Sequence, residues 1–317
     1  MLAAPTLRRE PGSAMQLAAL APWIEAQLER QVIAMQPVGG GCIHRAWRLQ
    51  LSDGTPLFAK TNRAELAPVL EAEADGLTAL HSAANQASSG GHTVAIPEPL
   101  ALGTVSGEAV LVLSWLELQS GAGNAAAWQR LGAALAQLHR ASLQGHNGAY
   151  GWHRDNFIGA GPQPNGWSRS WASFFVEQRL GAQLALAEQA GRALPNATVL
   201  LERAAAWLET HQPEACLVHG DLWSGNAGVL AGGGAALFDP AVHRADREVD
   251  LAMARLFGGF PASFFAGYEA TWPLPAEHRQ RVELYNLYHL LNHANLFGGG
   301  YWQQSAASIQ ALLRQWS

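Results

Sequence analysis

The sequence is poor in cysteine, in long apolar runs and in charge. Only Cys42 and Cys216 occur among 317 residues, which excludes a small fold held by disulfides and favours a reducing compartment such as the cytoplasm. Charged residues, Gly or Pro interrupt every apolar stretch before it reaches the roughly 20 residues that a membrane helix requires. We therefore expect a cytoplasmic protein with no membrane span and no membrane partner.

Positive charge is scarce. The 20 Lys and Arg residues face 25 Asp and Glu residues, a formal net charge of -5, whereas binding to a nucleic-acid backbone depends on a basic surface. We expect no nucleic-acid partner. Hydrophobic residues make up 49% of the chain, which is enough apolar surface to offset the entropy of folding. At about 150 residues per domain, the length predicts two compact units.

The first part of the chain has a mixed pattern. We expect residues 1–14 to form a loose extension, and apolar residues at helical spacing predict a helix over 15–35 that Pro37 ends. An Asp-Gly pair between two strand-like runs predicts a β-hairpin whose second strand ends at Lys60. The apolar run 109–113 predicts a buried strand.

Beyond residue 116 the pattern is mostly helical. Apolar periodicity predicts helices over 125–140, 168–190, 197–210, 247–257 and 277–296. Two short strand candidates, 216–218 and 235–238, interrupt them. The chain therefore combines a sheet-containing first part with a helical second part.

Polar side chains follow the two short strands of the helical part. Asp221 and Asn226 come after the first strand, and Asp239 directly follows the second. Because strands joined by a loop bring their end residues to one place, we expect these side chains to be neighbours. Carboxylate and amide oxygens suit Mg²⁺, which leaves further positions to substrate phosphates. The sequence therefore predicts a magnesium site here.

The spacing Asp-x-x-x-x-Asn is that of the kinase catalytic loop. In that loop the Asp accepts the proton of the attacking hydroxyl, and the Asn holds a metal together with a second Asp. The pattern predicts Asp221 as the base and Asn226 and Asp239 as metal ligands. A lone Asp after a strand is more often only a turn residue, but the three residues together favour catalysis.

Lys60 ends the second strand of the predicted hairpin, which begins at a glycine triplet. This position favours a lysine that binds nucleotide phosphates, although most lysines simply lie on the surface. Residues 64–81 are predicted to form a helix after Pro68. Two glutamates on it, Glu71 and Glu73, could pair with Lys60, and we choose Glu73.

Several blocks together resemble the fructosamine kinase, or ketosamine 3-kinase, family. This family belongs to the protein-kinase-like small-molecule kinases, with aminoglycoside phosphotransferases and choline kinases. The matching blocks are His219-Gly220-Asp221-Leu222-Trp223-Ser224-Gly225-Asn226, Phe238-Asp239-Pro240-Ala241, Asp246-Arg247-Glu248-Val249-Asp250-Leu251-Ala252-Met253, Asn165-Gly166-Trp167, Trp171 to Phe175, Glu177 to Arg179, Pro273-Leu274 and Leu287-Tyr288-His289-Leu290-Leu291-Asn292-His293. His-Gly-Asp-x-x-x-x-Asn alone marks the wider superfamily, and Trp223 with Ser224 and the later blocks narrows it.

The resemblance implies a bilobal α+β, protein-kinase-like fold. A small N-terminal lobe of antiparallel sheet and helix, residues 15–116, would bind the nucleotide. A larger and mostly helical C-terminal lobe, residues 117–317, would carry the catalytic and acceptor-binding groups. The active site would lie in the cleft between the lobes.

The resemblance also implies an activity, ATP-dependent phosphorylation of O3 of a ketosamine, a deglycation-type reaction that uses Mg²⁺. Asp221 would deprotonate the hydroxyl, and Asn226 and Asp239 would hold the metal. Trp223 would offer its indole face to the sugar or its protonated amine. Lys60 and Glu73 would serve the ATP phosphates, Gly39, Gly40 and Gly41 would cover them, and Leu113, Trp115 and Leu116 would meet adenine.

Two alternatives are kept at this point. The chain could be another small-molecule kinase of the aminoglycoside or choline type, or a non-catalytic nucleotide-binding protein, although no base or metal residue is missing. The glycine triplet with Cys42 departs from the G-x-G-x-x-G pattern of protein kinases. Oxidation of Cys42 is a further hypothesis for regulation.

Overall fold

The computed structural model describes residues 14–39, 44–87, 93–119, 124–144 and 147–316. The first elements are α1 (Ala14–Leu28), β1 (Val32–Val38), β2 (Arg45–Leu51), β3 (Pro56–Arg63), α2 (Ala67–Ala87), β4 (Val94–Ala95), β5 (Pro99–Val105) and β6 (Glu108–Ser114). Then follow α3 (Ala125–Ala141), β7 (Asn156–Ile158), β8 (Gly161–Gln163), α4 (Trp171–Phe175), α5 (Ala182–Gln189), α6 (Ala197–Leu208), β9 (Cys216–Val218), β10 (Ala227–Val229), β11 (Ala235–Leu237), β12 (His243–Ala245), α7 (Glu248–Leu256), α8 (Ala262–Thr271), α9 (His278–Phe297) and α10 (Tyr301–Gln315).

These elements form two compact units. The first comprises the chain through His81 together with Ile96–Glu117, and the second comprises Ser82–Ala95 and the chain from Leu118 onward. Ser82–Ala95 belongs to the second unit because β4 pairs in parallel with β11, a long-range contact that the sequence pattern does not reveal.

The first unit is built on a five-stranded antiparallel sheet with the order β1-β2-β3-β6-β5. The predicted hairpin is confirmed as β2 and β3, joined by a turn in which Gly54 has a φ of 88°, a conformation that glycine adopts without strain. Leu20 and Ile24 of α1 are buried in one cluster with Leu49 and Leu57 of the sheet. The predicted strand 109–113 is confirmed within β6.

Two predicted boundaries in this unit are wrong. The helix predicted over 15–35 ends at Leu28, and Val32–Val38 forms β1. The β-branched Val32 and Ile33 favour a strand, and pairing with β2 stabilises it. Pro37 lies inside β1, an edge strand of the described sheet, where a missing N–H is tolerated.

The second wrong boundary concerns Lys60. We expected the second hairpin strand to end there, but β3 continues to Arg63 because Thr61, Asn62 and Arg63 pair with the start of β6. Lys60 therefore lies within a central strand of the sheet, paired on both sides, which holds its backbone rigidly.

The second unit is mostly helical. The helices predicted over 125–140, 197–210, 247–257 and 277–296 correspond to α3, α6, α7 and α9. The helix predicted over 168–190 is confirmed as α4 and α5, joined by a π-helical segment at Val176–Gly181. The predicted strands 216–218 and 235–238 correspond to β9 and β11. The sequence pattern missed α8, α10 and several two- or three-residue strands. Within the described ranges, no helix combines the length and the apolarity needed to cross a lipid bilayer.

Helices α3 and α8 pack through glycine. A Cβ atom added at Gly132 would collide with the Phe264 carbonyl and would lie 2.8 Å from the Tyr268 nitrogen. On the other helix, a Cβ added at Gly267 would collide with the Gln129 carbonyl. The backbones of these helices therefore approach more closely than any larger residue permits.

We predict that Gly132→Ala lowers the free energy of unfolding by about 1–3 kcal/mol, because its methyl group meets backbone atoms that cannot move aside. Urea denaturation of the variant and the wild type measures this change. Gly232→Ala is the matched control, since a Cβ there would meet nothing within 4 Å. Equal stability of the Gly132→Ala variant and the control would contradict this packing.

Candidate active site

In the first unit, Lys60 and Glu73 form a buried ion pair. Lys60 Nζ on β3 donates a 2.6 Å hydrogen bond to Glu73 Oε1 on α2, and the two residues are only 7% and 8% exposed. Of the two glutamates considered from the sequence, Glu73 is the one whose bond to Lys60 the structure shows. A buried ammonium requires such a partner.

Lys60 is the only lysine in the chain. The prediction from the sequence did not use this signal. The other cations of fixed charge are arginines. A lysine ammonium is a compact point charge, whereas an arginine guanidinium is a broad planar fork. The one place where the chain uses the compact cation is therefore this buried position.

The remaining candidates of the first unit lie near the end of β6. Leu113 is buried opposite Phe58 in the β3–β6 ladder. The ring of Trp115 lies 6.3 Å from that of Phe58 and 4.9 Å from Arg48 Cζ, and its Nε1 donates to Glu117 Oε2 at 2.8 Å. Leu116 is half-buried beside it.

The predicted phosphate loop is described only in part. At Gly39 a Cβ atom would meet nothing within 4 Å. Gly40, Gly41 and Cys42 lie outside the described residues, so their predicted roles remain predictions.

In the second unit, the structure brings Asp221, Asn226 and Asp239 together. Asn226 Nδ2 lies 2.9 Å from the carbonyl oxygen of Asp221, 3.1 Å from Asp221 Oδ2 and 3.3 Å from the carbonyl oxygen of Asp239. These bonds occupy the amide nitrogen, so Oδ1 is the atom of Asn226 suited to a cation. Asp239 has a φ of 56°, a left-handed conformation that is uncommon for residues other than glycine and is often found at functional sites.

The backbone before Asp221 depends on a glycine. Gly220 has a φ of 81°, and a Cβ atom there would collide with the Ala241 carbonyl and lie 3.3 Å from His243 Nδ1. Ala241 N donates to the carbonyl oxygen of His219 at 2.8 Å. Only glycine combines this φ with so close an approach, and the approach brings the segment after Asp239 against the loop that carries Asp221 and Asn226.

Asp250, on α7, also binds the backbone of the loop that carries Asp221. Its Oδ2 accepts from His219 N at 2.7 Å and its Oδ1 from Gly220 N at 2.8 Å. His139 Nε2 lies 3.2 Å from Oδ2, and its Nδ1 lies 2.9 Å from the hydroxyl of Tyr268. Burial acts to raise the pKa of Asp250, but the hydrogen bonds from His139 and from the backbone of the loop help to lower it below its usual range, so the carboxylate stays ionised.

His219 supports the loop as a neutral side chain. Its Nε2–H donates to the Phe238 carbonyl at 3.0 Å, while Nδ1 accepts from Asp221 N at 3.3 Å. Burial lowers the pKa of His219, which agrees with one ring nitrogen donating and the other accepting. This geometry favours a positioning role over proton transfer.

Asp221 has the electrostatics of a base. Burial raises its pKa to about 7, the bond from Asn226 opposes that shift, and the charges of Asp239 and Asp250 add to it. A general base acts best when its pKa lies close to the working pH. Trp223, two residues further on, is 39% exposed.

A buried amide cluster supports the segment after Asp239, and our reading of the sequence missed it. Asn156 Nδ2 donates to the carbonyl oxygen of Val242 at 2.7 Å, and Gln163 Nε2 donates to that of Ala241 at 3.0 Å. Asn165 links Asn156 to the buried Arg179, whose guanidinium donates to Asn165 Oδ1 at 2.7 Å. The only sequence signal was that Asn165 and Arg179 lie within or beside the matching blocks.

A separate group of potential metal ligands lies elsewhere in the second unit. Among the described residues, His211, Asp246 and Glu248 place three ligand atoms within 4.8 Å of one another. However, Arg281 donates two 2.7 Å bonds to Glu248, and Asp246 Oδ2 accepts from Tyr285 at 2.7 Å. Because these oxygens are already bonded, the group is better explained as a structural polar cluster.

Known proteins resemble this chain along most of its length. The sequence profile of the family described as Fructosamine kinase matches residues 16–315. The chain belongs to the fructosamine kinase family. A relative named "Probable ketoamine kinase", from Synechocystis sp., is 46% identical over 277 residues, covering 87% of this chain and 89% of that protein. The chloroplastic protein-ribulosamine 3-kinase of Arabidopsis thaliana is 35% identical over 288 residues, covering 90% and 84%.

Solved structures show the same fold. The Haemophilus somnus 129PT structure, which carries a fructosamine-3-kinase designation, has a TM-score of 0.83 and 25% identity, covering 94% of this chain and 98% of that one. Choline kinase LicA from Streptococcus pneumoniae has a TM-score of 0.58 and 13% identity, covering 96% and 100%, which reflects the fold alone. The expected protein-kinase-like α+β fold is thus confirmed.

We predict that Asp250→Asn lowers both the stability and the activity of this fructosamine kinase family member. The amide can accept only one of the two backbone bonds, and leaving a buried donor unpaired costs about 1–3 kcal/mol. Urea denaturation and kcat measure the two effects. Asp155→Asn is the control, because exposed Asp155 accepts one backbone bond, from Asn165 N at 2.7 Å, which an amide oxygen can still accept. Wild-type stability of Asp250→Asn would contradict the role of this carboxylate.

Proposed function

We propose that this chain transfers the γ-phosphoryl group of ATP to hydroxyl O3 of a ketosamine, a sugar-derived adduct of an amine. The observation that carries the proposal is the cluster of Asp221, Asn226 and Asp239 in one loop region. Family membership supports the acceptor, since relatives are named ketoamine kinase and protein-ribulosamine 3-kinase. In this reaction the new bond joins O3 to phosphorus, and ADP leaves.

Asp221 accepts the proton of the attacking hydroxyl. Its raised pKa, about 7, makes the ionised carboxylate a better proton acceptor than an ordinary Asp while much of it stays ionised near neutral pH. The bonds from Asn226 and the backbone bracing by Asp250 hold the carboxylate in one orientation, which phosphoryl transfer requires for alignment.

Asn226 and Asp239 are the proposed ligands of Mg²⁺. Their oxygens form a hard donor set of one amide and one carboxylate, which fits a cation that keeps sites for phosphate oxygens. When bound, the cation neutralises charge on the transferred group. The left-handed backbone of Asp239 sets the direction of its Cα–Cβ bond.

In the first unit, Lys60 is the proposed phosphate-binding group, and Glu73 positions it. Gly39, Gly40 and Gly41 would cover the phosphates with backbone N–H groups. Leu113, Trp115 and Leu116 are the proposed contacts of adenine. Leu113 lies near the end of the buried strand β6, and the half-buried Trp115 and Leu116 follow that strand.

Trp223 is the proposed contact of the acceptor. An exposed indole beside a catalytic Asp offers a flat face to the CH groups of a sugar or to a protonated amine, a contact that contributes roughly 0.5–2 kcal/mol. The part of the acceptor that contacts the indole is then different from the hydroxyl that reacts.

An acceptor panel tests the function. We predict ATP-dependent phosphorylation of ribulosamines and fructosamines in preference to aminoglycosides and choline, and a fall in kcat of roughly 10²–10⁴-fold in Asp221→Asn, the contribution of a general base. Phosphate transfer is followed by mass spectrometry of the product.

Two controls accompany the panel. Asp53→Asn, in the exposed β2–β3 turn, is expected to keep wild-type kcat. Mg-ATP at 100 times its Kd is expected to stabilise the wild type and Asp221→Asn alike, by about 2.7 kcal/mol. Preference for an aminoglycoside or for choline would contradict the proposed acceptor.

Metal dependence tests the ligand set. We predict that EDTA abolishes turnover, that added Mg²⁺ restores it, and that Asp239→Asn raises the Mg²⁺ concentration for half-maximal rate about tenfold or more, because a carboxylate ligand is lost. Unchanged half-saturation in Asp239→Asn would exclude this residue as a ligand.

A further inference from the structure

Trp223 lies at the centre of the turn that carries the catalytic residues. Its N–H donates to the Asp221 carbonyl at 3.1 Å, and its carbonyl accepts from Asn226 N at 2.9 Å. The turn Ser224–Asn226 is a single 3₁₀ turn, and the side chain of Asn226 bonds back to Asp221. The backbone from Asp221 to Asn226 is therefore closed by several bonds.

The indole of Trp223 folds back over this turn and occupies the space beside Gly225. A Cβ atom at Gly225 would lie 2.6 Å from Cζ3 of the indole and would collide with its Cη2 and Cζ2. The φ of Gly225 does not fall in the left-handed region. The backbone therefore does not require glycine there, and the indole does.

Ser224, between Trp223 and Gly225, is held in a similar way. A Cβ atom at Gly259 would collide with Oγ and Cβ of Ser224, so the Ser224 side chain fills the space that a larger residue at 259 would take. Ser224 is thus fixed against the segment after α7. Trp223 and Ser224 each depend on the missing side chain of a glycine.

We propose that Gly225 is a positioning residue for the acceptor: by lacking a Cβ atom it lets the Trp223 indole lie flat over the catalytic turn, and so sets the affinity and selectivity for the ketosamine. This inference rests on the proposed function, in which the indole contacts the acceptor. It assigns recognition of the acceptor to Trp223 and Gly225 together rather than to Trp223 alone.

A methyl group at Gly225 forces either the ring or the turn to move. The turn is closed by hydrogen bonds, whereas the ring is 39% exposed and can rotate outward. The ring therefore moves, and the acceptor loses its contact surface. Asp221 and Asn226 keep their places, so the KM for the acceptor rises while the KM for ATP stays constant.

A double-mutant cycle tests this mechanism, with fructosyl-lysine or ribulosyl-lysine as acceptor and the variants Gly225→Ala, Trp223→Ala and the combination. Gly225→Ala is expected to raise the acceptor KM roughly 2- to 30-fold, the value of one stacking contact. In the Trp223→Ala background the same change is expected to stay within about twofold, because no ring remains to be displaced. Gly232→Ala is the matched control and is expected to match the wild type.

Two results would overturn the proposal. One is an equal effect of Gly225→Ala in both backgrounds, and the other is a raised KM for ATP or Mg²⁺ half-saturation, which would show that the turn had moved instead of the ring.

A second measurement reads the ring directly, without turnover. In protein labelled with 5-fluorotryptophan, the ¹⁹F resonance of Trp223 is assigned by its absence in Trp223→Phe. Gly225→Ala is expected to shift this resonance, and Gly232→Ala to leave it in place. An unshifted Trp223 resonance would refute the inference even if ketosamines are phosphorylated. Absence of ketosamine turnover by the wild type, with the resonance shifted, would instead refute the proposed function and keep the Gly225–Trp223 coupling.

Discussion

Two backbone N–H groups of the loop that carries Asp221 and Asn226 donate to one buried carboxylate, that of Asp250. This constraint couples the loop to α7 and, through His139, to α3. A loop of this kind contains polar residues that on their own would sample many orientations. Because an ionised, fully buried acceptor loses much free energy if either bond breaks, these two bonds hold the backbone just before Asp221 against the helical core.

Each unit contains buried titratable side chains, and their surroundings decide what those side chains can do. In the second unit burial raises the pKa of Asp221 and lowers that of His219, which gives one residue the properties of a base and the other those of a neutral support. In the first unit, Lys60 and Glu73 share a buried 2.6 Å bond. The use of the chain's only lysine at that point agrees with a need for a compact ammonium rather than a guanidinium.

Local patterns predicted much of this arrangement. The Asp-Gly turn indicated the β2–β3 hairpin, and apolar periodicity indicated α3, α6, α7 and α9, because each signal lies within the element that it describes. The spacing of Asp221, Asn226 and Asp239 also indicated their convergence, since each follows a short strand. The error over 15–35 has the opposite origin. Apolar residues at helical spacing continue into β1, and pairing with a distant strand decided the conformation there.

Residue types and short spacings were enough to identify the family, the class of fold and the three oxygen-bearing side chains. The tertiary structure alone decided which atoms support them: the amide cluster beneath the segment after Asp239, the closeness of Gly220 to Ala241, and the space beside Gly225 that the Trp223 indole fills. Most of these contacts join residues far apart in the chain, and all depend on differences of a few tenths of an ångström in the distance between atoms, which residue types and spacings do not specify.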